Sequence, residues 1–216
     1  MDFIISLFDL NNIFYEFPGY KMSYLELIGT VFYLLSVYLI VIKNLLTWPT
    51  GIISSILYMI LFYKINLYAD SFAQFYFIFV SLYGWYTWEK EKKKKNTISV
   101  FFSPRKIIIM YILLTIVLTF GLFLINSNIH IIAPGYFPEK AAYPLADSFT
   151  TIMSFVAIYL MSERRIESWI YWMIVDIVSS FVYWFKGIKL LSIQFFGLFL
   201  FAGFGYYLWI RKNKLK

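Results

Sequence analysis

A chain of 216 residues that is 61% hydrophobic, 23% aromatic and only 14% charged excludes an ordinary soluble domain. Lys and Arg number 19 against 12 Asp and Glu, a formal charge of +7, so nucleic-acid binding is a class to consider until the basic residues are placed. The absence of cysteine and the single histidine remove disulfides, thiolate nucleophiles and nearly all common metal and acid–base sites, and no cofactor or metal is expected.

Taken in chain order, residues 1–17 are apolar but carry Asp2, Asp9 and Glu16 and stop at Pro18-Gly19. This predicts a helix lying in the membrane interface, and without a basic leader it is not expected to act as a signal peptide. Seven apolar runs follow that approach the length of a bilayer crossing, about 20 residues. They cover 23–42, 48–63, 69–88, 107–125, 144–161, 169–185 and 192–210. The expected architecture is an all-α integral membrane protein with seven transmembrane helices and an N-terminal interfacial segment, 1–22. A first triple-helix bundle covers 23–88. A stretch at 89–143 holds a basic cytoplasmic loop, a linker span and an outside loop, a second bundle covers 144–210, and a cytoplasmic tail 211–216.

With the Lys93-Lys94-Lys95 run in the cytoplasm, the amino terminus falls outside and the carboxyl terminus inside. The inside segments then hold 14 of the 19 basic residues, and only Lys21, Lys64, Lys140, Lys186 and Lys189 lie outside. That asymmetry is the positive-inside rule. It also disposes of nucleic-acid binding, because no basic stripe with interleaved aromatics is left over.

Shifting the chain by 121 residues lays the first three spans over the last three. Trp48 falls on Trp169, Gly84 on Gly205, Tyr86 on Tyr207, Trp88 on Trp209, and Tyr38-Leu39 on Tyr159-Leu160. With one span between the halves, the expectation is a 3+1+3 parallel repeat, a transporter architecture with its substrate site near the midplane where the halves meet.

The seven spans contain no basic residue and four acids: Glu26, Asp70, Asp147 and Asp176. The first three lie near span ends. Asp176 sits at the centre of the sixth, where an ionised carboxylate costs about 3 kcal/mol or more unless it faces a cavity or partner. At 100° per residue Trp169, Trp172, Asp176, Ser180 and Tyr183 fall within roughly 80° of one another, and Ile170, Ile174, Val178, Phe181 and Val182 take the other side. Asp147, Thr150, Thr151 and Ser154 form a similar stripe on the fifth span, and Gln74, Ser81 and Gln194 are further polar groups expected inside. Trp48, Gly51 and Ser55 stand in the first repeat where the second has Trp169, Trp172 and Asp176. Each has a plainer role to weigh against: Trp169 as an interfacial belt residue, Gln74 and Gln194 as interhelical glue, Asn44 as a turn or cap residue, and His130 as a solvated loop residue. Two indoles and a carboxylate without a basic counterpart suit a flat cationic ring such as a pyridinium or thiazolium, and disfavour a phosphate.

The segments Asn44-Leu-Leu-Thr-Trp-Pro-Thr-Gly51, Leu67-Tyr-Ala-Asp70, Tyr83-Gly-Trp-Tyr-Thr-Trp88 and Asp147-Ser-Phe-Thr-Thr151, with Gln74, Trp169-Ile-Tyr-Trp172 and Asp176, resemble the PnuC vitamin transporters. The likeness runs over nearly the whole chain from Ser23. It implies a full-length relative of the SWEET sugar transporters in the bacterial inner membrane, working as a uniporter by facilitated diffusion with the vitamin trapped by cytoplasmic phosphorylation. It further implies that Trp169 and Trp172 hold the nicotinamide of nicotinamide riboside, with polar side chains of neighbouring helices around the ribose. Thiamine is the alternative substrate, also a cationic aromatic ring. The expected partners are a small-molecule vitamin and membrane lipid, with a homo-oligomer in view. An integral-membrane enzyme is disfavoured, because one histidine and scattered acids supply no catalytic cluster. No phosphate-binding Gly-Lys-Ser/Thr sequence is present for ATP use.

Overall fold

The computed structural model describes residues 12–17, 20–65, 67–137 and 140–214. Among these described residues two strands are followed by seven helices: β1 (Ile13–Phe17), β2 (Tyr20–Ser23), α1 (Tyr24–Val41), α2 (Thr47–Lys64), α3 (Tyr68–Lys95), α4 (Arg105–Ile132), α5 (Pro144–Ser162), α6 (Ser168–Phe185) and α7 (Lys189–Lys214). All seven expected helices are therefore present. Five of them, α1, α4, α5, α6 and the 191–211 part of α7, are long and apolar enough to cross a membrane. The helices α2 and α3 fall short of that measure because Thr, Ser, Tyr and Trp lower their hydropathy.

Three boundaries need correction. The interfacial helix expected over 1–17 is not helical at 13–17: these residues pair antiparallel with 20–23, with Glu16 opposite Lys21 and an ion pair of 3.1 Å between them. The run Ile-Phe-Tyr-Glu-Phe is β-branched and aromatic, which suits a strand, and opposite charges face across the ladder. Residues 1–11 lie outside the described residues. The basic stretch expected as a loop from residue 89 continues α3 to Lys95, sustained by Glu89–Lys93 and Glu91–Lys95 pairs one turn apart and closed by Asn96 in the left-handed conformation. Finally, α4 runs to Ile132, so His130 is helical rather than in a loop.

The chain divides into two compact units, residues 1–98 and 99–216. In the first, α2 packs against both α1 and α3; in the second, α6 packs against both α5 and α7, and α4 packs on α5. The 121-residue repeat is visible inside each unit. α1 and α5 end alike: Lys43 (φ 60°) and Arg164 (φ 62°) are left-handed. Asn44 N donates to Leu39 O at 2.9 Å and Lys43 N to Ile40 O at 3.0 Å, while Arg165 N donates to Leu160 O at 2.8 Å and Arg164 N to Met161 O at 3.0 Å. Both are Schellman turns, which satisfy carbonyls otherwise left open at a helix end. Asn44 also accepts from Leu46 N at 3.0 Å, the turn role expected of it.

Between α2 and α3 of the first unit and between α6 and α7 of the second the same hydroxyl recurs. Ser71 donates to Met59 O at 2.9 Å, and Ser192 donates to Ser180 O at 2.8 Å. In the second unit Ser180 returns a bond of 2.9 Å to Ser192 O, doubling the staple. Hydrogen bonds between membrane helices are worth about 0.6 kcal/mol on average and up to about 1.7. A Ser192→Ala protein is expected to lose about 1 kcal/mol of stability by that measure, and Ser71→Ala about half as much because its bond is single. Denaturant titration of purified variants checks the order; equal losses would contradict the doubled staple.

Candidate substrate site

The sixth span has the two faces expected of it. Trp169, Asp176 and Ser180 are buried along one side, whereas Ile170, Ile174 and Phe181 are exposed on the other. Apolar residues turned outward are what a lipid-facing helix presents.

The two tryptophans of the Trp-x-x-Trp element are placed differently. Trp169 is only 2% exposed and meets Trp209 of α7 edge-on, 5.4 Å between ring centroids at 87°. Its six-membered ring rests on Gly205, where a Cβ would lie 2.7 Å away. Trp48 repeats the arrangement in the first unit, against Trp88 at 5.3 Å and 86°, over Gly84. Lipid tails are as apolar as side chains, so helices in a membrane are held by close packing, and glycine allows the approach. Trp169 is thus packed between helices rather than turned outward as a belt residue would be. The ring partner of Trp169 is Trp209. One feature of these anchors goes beyond packing: the Nε1 donors of both Trp48 and Trp169 are buried without a partner among the described residues. An unmet buried donor costs about 1–3 kcal/mol, a cost that both interlocks carry.

Trp172 is half-buried and packs against the cluster of Ile152, Met153, Val156, Ala157, Leu160, Tyr171 and Val175 between α5 and α6. Asp176 lies one turn along the same face, 5% exposed, and makes no hydrogen bond or ion pair among the described residues. The helix therefore brings together one part-open indole and one buried carboxylate that protein groups leave unmatched.

Other expected residues fall elsewhere. The Ser180 hydroxyl is engaged by Ser192. Tyr183 lies two turns beyond Asp176 and stacks flat on Phe195 of α7, 5.4 Å apart at 5°. Asp147, at the start of α5, forms an ion pair with Lys186 at 3.4 Å, so this acid has a basic neighbour. Thr151 and Thr150 donate back to the carbonyl of Asp147, at 2.7 and 3.2 Å, and Ser154 to that of Thr150 at 2.8 Å. That bonding is local to the helix, as expected of hydroxyls in membrane helices. Gln194 is exposed on α7, and Gln74 is half-buried on α3 in the first unit.

Sequence reasoning passes over Glu167, which is buried before α6 and accepts from Ser103 N through both oxygens, at 3.2 and 3.3 Å. The segment before α4 is pinned there, with Phe101 N donating to Arg164 O at 3.2 Å, Ile166 N to Phe101 O at 3.0 Å, and the Arg165 guanidinium 4.2 Å over the Phe101 ring. Nothing in the spacing of Glu167 signals a partner 64 residues away. Among the described residues no group of three or more His, Asp or Glu is placed to hold a metal.

The profile of the family described as Nicotinamide mononucleotide transporter matches residues 23–211. The chain belongs to that family. It is 26% identical to the nicotinamide riboside transporter PnuC of Escherichia coli (strain K12) over 237 aligned positions, covering 99% of this chain and 96% of the relative. It is 25% identical to the riboflavin/roseoflavin transporter RibM of Streptomyces davaonensis over 156 positions, 71% of this chain and 69% of that one. The solved structure titled as the crystal structure of the vitamin B3 transporter PnuC superposes with a TM-score of 0.61 at 21% identity, covering 88% of this chain and 82% of the other. The shared fold is that of a PnuC protein, and the resemblance read from the motifs is borne out.

Proposed function

We propose that this member of the nicotinamide mononucleotide transporter family carries a vitamin with a cationic aromatic ring across the bacterial inner membrane, and that the vitamin is nicotinamide riboside. The observation that carries the choice is Asp176, a buried carboxylate unmatched by protein groups, one turn from the half-buried Trp172. A pyridinium offers the charge that this acid lacks and a flat face for the indole. A phosphate would meet the carboxylate as a like charge, so the riboside is favoured over the mononucleotide of the family's description. The unmet Nε1 donor of Trp169, on the same helix, is suited to a polar group of that ligand.

The proposed cycle is uniport by alternating access, with all seven helices spanning, the two triple-helix units in a parallel 3+1+3 repeat, and the amino terminus outside. The vitamin is then retained by cytoplasmic phosphorylation. Supporting the common orientation, Lys43 and Arg164 occupy equivalent turns and carry the same charge. Thiamine, with its thiazolium, is the competing ligand, and the riboflavin/roseoflavin relative makes a flavin the third to try.

Proteoliposomes holding the full chain, offered labelled nicotinamide riboside, nicotinamide mononucleotide, thiamine and riboflavin, test the reading. Uptake of the riboside down its gradient, without ATP or an ion gradient, is the expected result. Preference for thiamine or riboflavin would refute the substrate, and a requirement for a proton or sodium gradient would refute uniport.

A further inference from the structure

The start of α5 and the end of α6 meet in a cluster about two turns beyond Asp176. Lys186 Nζ lies 3.4 Å from Asp147 Oδ1, 5.4 Å from the centroid of the Tyr143 ring and 5.6 Å from that of Tyr183. Tyr183 is steadied from behind by its flat stack on Phe195. One carboxylate and two electron-rich ring faces around an ammonium are the chemistry by which proteins recognise organic cations. The other lysine–ring contacts among the described residues, Lys90 on Tyr86 and Lys189 on Trp184, involve a single ring each.

We propose that Asp147, Tyr143 and Tyr183 form a peripheral site for an organic cation, which the Lys186 ammonium fills as a tethered occupant until an arriving cation displaces it. The occupant itself indicates the class of ligand. Displacement is easy on three counts. The ion pair is part-exposed, with the Lys186 and Asp147 side chains 28% and 44% accessible, and such pairs are weak. A lysine holds a carboxylate as a point charge, without the fork that would lock an arginine there. Beside the cage, Tyr143, Pro144, Leu145, Ala146 and Phe149 line an apolar cleft of ≈ 460 Å³, within the range that accommodates a small molecule. Tyr183 is seven residues from Asp176, about 10 Å along the helix, so a cation passing from one to the other stays on one face of α6. The role as an entry station rests on the transport reading above; the cation cage does not.

The test uses the full chain in detergent, with tetramethylammonium chloride as probe and titration calorimetry as readout. Lys186→Met empties the cage and is expected to bind tetramethylammonium about tenfold more tightly than the unaltered protein, a gain in line with two part-exposed ring faces. Lys186→Met/Tyr183→Leu is expected to lose that gain. Lys186→Gln serves the same purpose should the methionine variant fail to fold. Binding no tighter in the folded Lys186 variant, or a gain that survives removal of Tyr183, overturns the proposal. Because tetramethylammonium is not a vitamin, a failure of riboside uptake would sink the transport reading while tighter binding of the probe would still uphold the cage.

Discussion

A Gly205→Ala protein is expected to unfold much more readily than the unaltered chain, by roughly 1–3 kcal/mol, the usual range for forcing a methyl into a packed interior. The new Cβ would sit 2.7 Å from the Trp169 ring, and that ring cannot swing away because Trp209 holds its edge. The corresponding change at Gly84 against Trp48 is expected to be comparable, since one glycine and two tryptophans lock the first unit in the same way. Thermal or denaturant unfolding of the purified variants measures the loss. Trp169→Phe on the Gly205→Ala background removes the outer ring atoms that the methyl meets and should restore part of the stability. A Gly205→Ala protein as stable as the parent, or one that Trp169→Phe makes worse, would be incompatible with the interlock.

The second large effect concerns Asp176, where function and stability are expected to move in opposite directions. Asp176→Asn keeps the shape of the side chain but removes its charge, and should weaken riboside uptake about 10- to 100-fold, the value of a charge-assisted contact of about 1.5–3 kcal/mol. Asp176→Leu should abolish uptake and yet raise the resistance to unfolding, because a buried acid without a protein partner is a cost that an apolar residue relieves. Uptake kinetics and melting curves on the same preparations decide. If both substitutions lower stability and leave the remaining folded protein fully active, Asp176 is a structural residue and the proposed site is wrong. Trp172→Ala should weaken binding without the gain in stability, since it opens a void beside Ile152, Val156 and Val175.

The helices are legible in the sequence because apolar runs of bilayer length leave little choice of structure, and each expected span lies within or close to an observed helix. The ends are less so. Hydropathy stops at Trp88, but α3 continues to Lys95 on local charge pairs, a force that a search for apolar runs does not register. The pairing of 13–17 with 20–23 has a sequence signal in Pro18-Gly19 after an aromatic run, but the same dipeptide also stops a helix, and the overall apolarity of the segment favours that reading. The repeat is legible from Trp and Gly coincidences at a single offset. An offset identifies equivalent positions but not contacts, so the meeting of Trp169 with Trp209 is not read from it. The Ser71 and Ser192 staples are within reach of the same offset, but their acceptors are backbone carbonyls at Met59 and Ser180, and a carbonyl leaves no trace in the sequence. The ion pair of Asp147 with Lys186 joins residues 39 apart on two helices, and only packing brings them together.

The turns that close α1 and α5 have a consequence for how such a chain was built. Each requires a left-handed residue, a conformation that costs a side-chain-bearing residue roughly 1–2 kcal/mol and glycine nearly nothing. The chain nevertheless has Lys43 and Arg164 there. A glycine would tighten both turns, but would erase from each unit a charge of the sign that favours the cytoplasmic face. On the topology proposed above, each three-helix block carries its own orienting charge at its first inter-helix turn, so a gene duplication would have delivered a second block already addressed to the same side of the membrane.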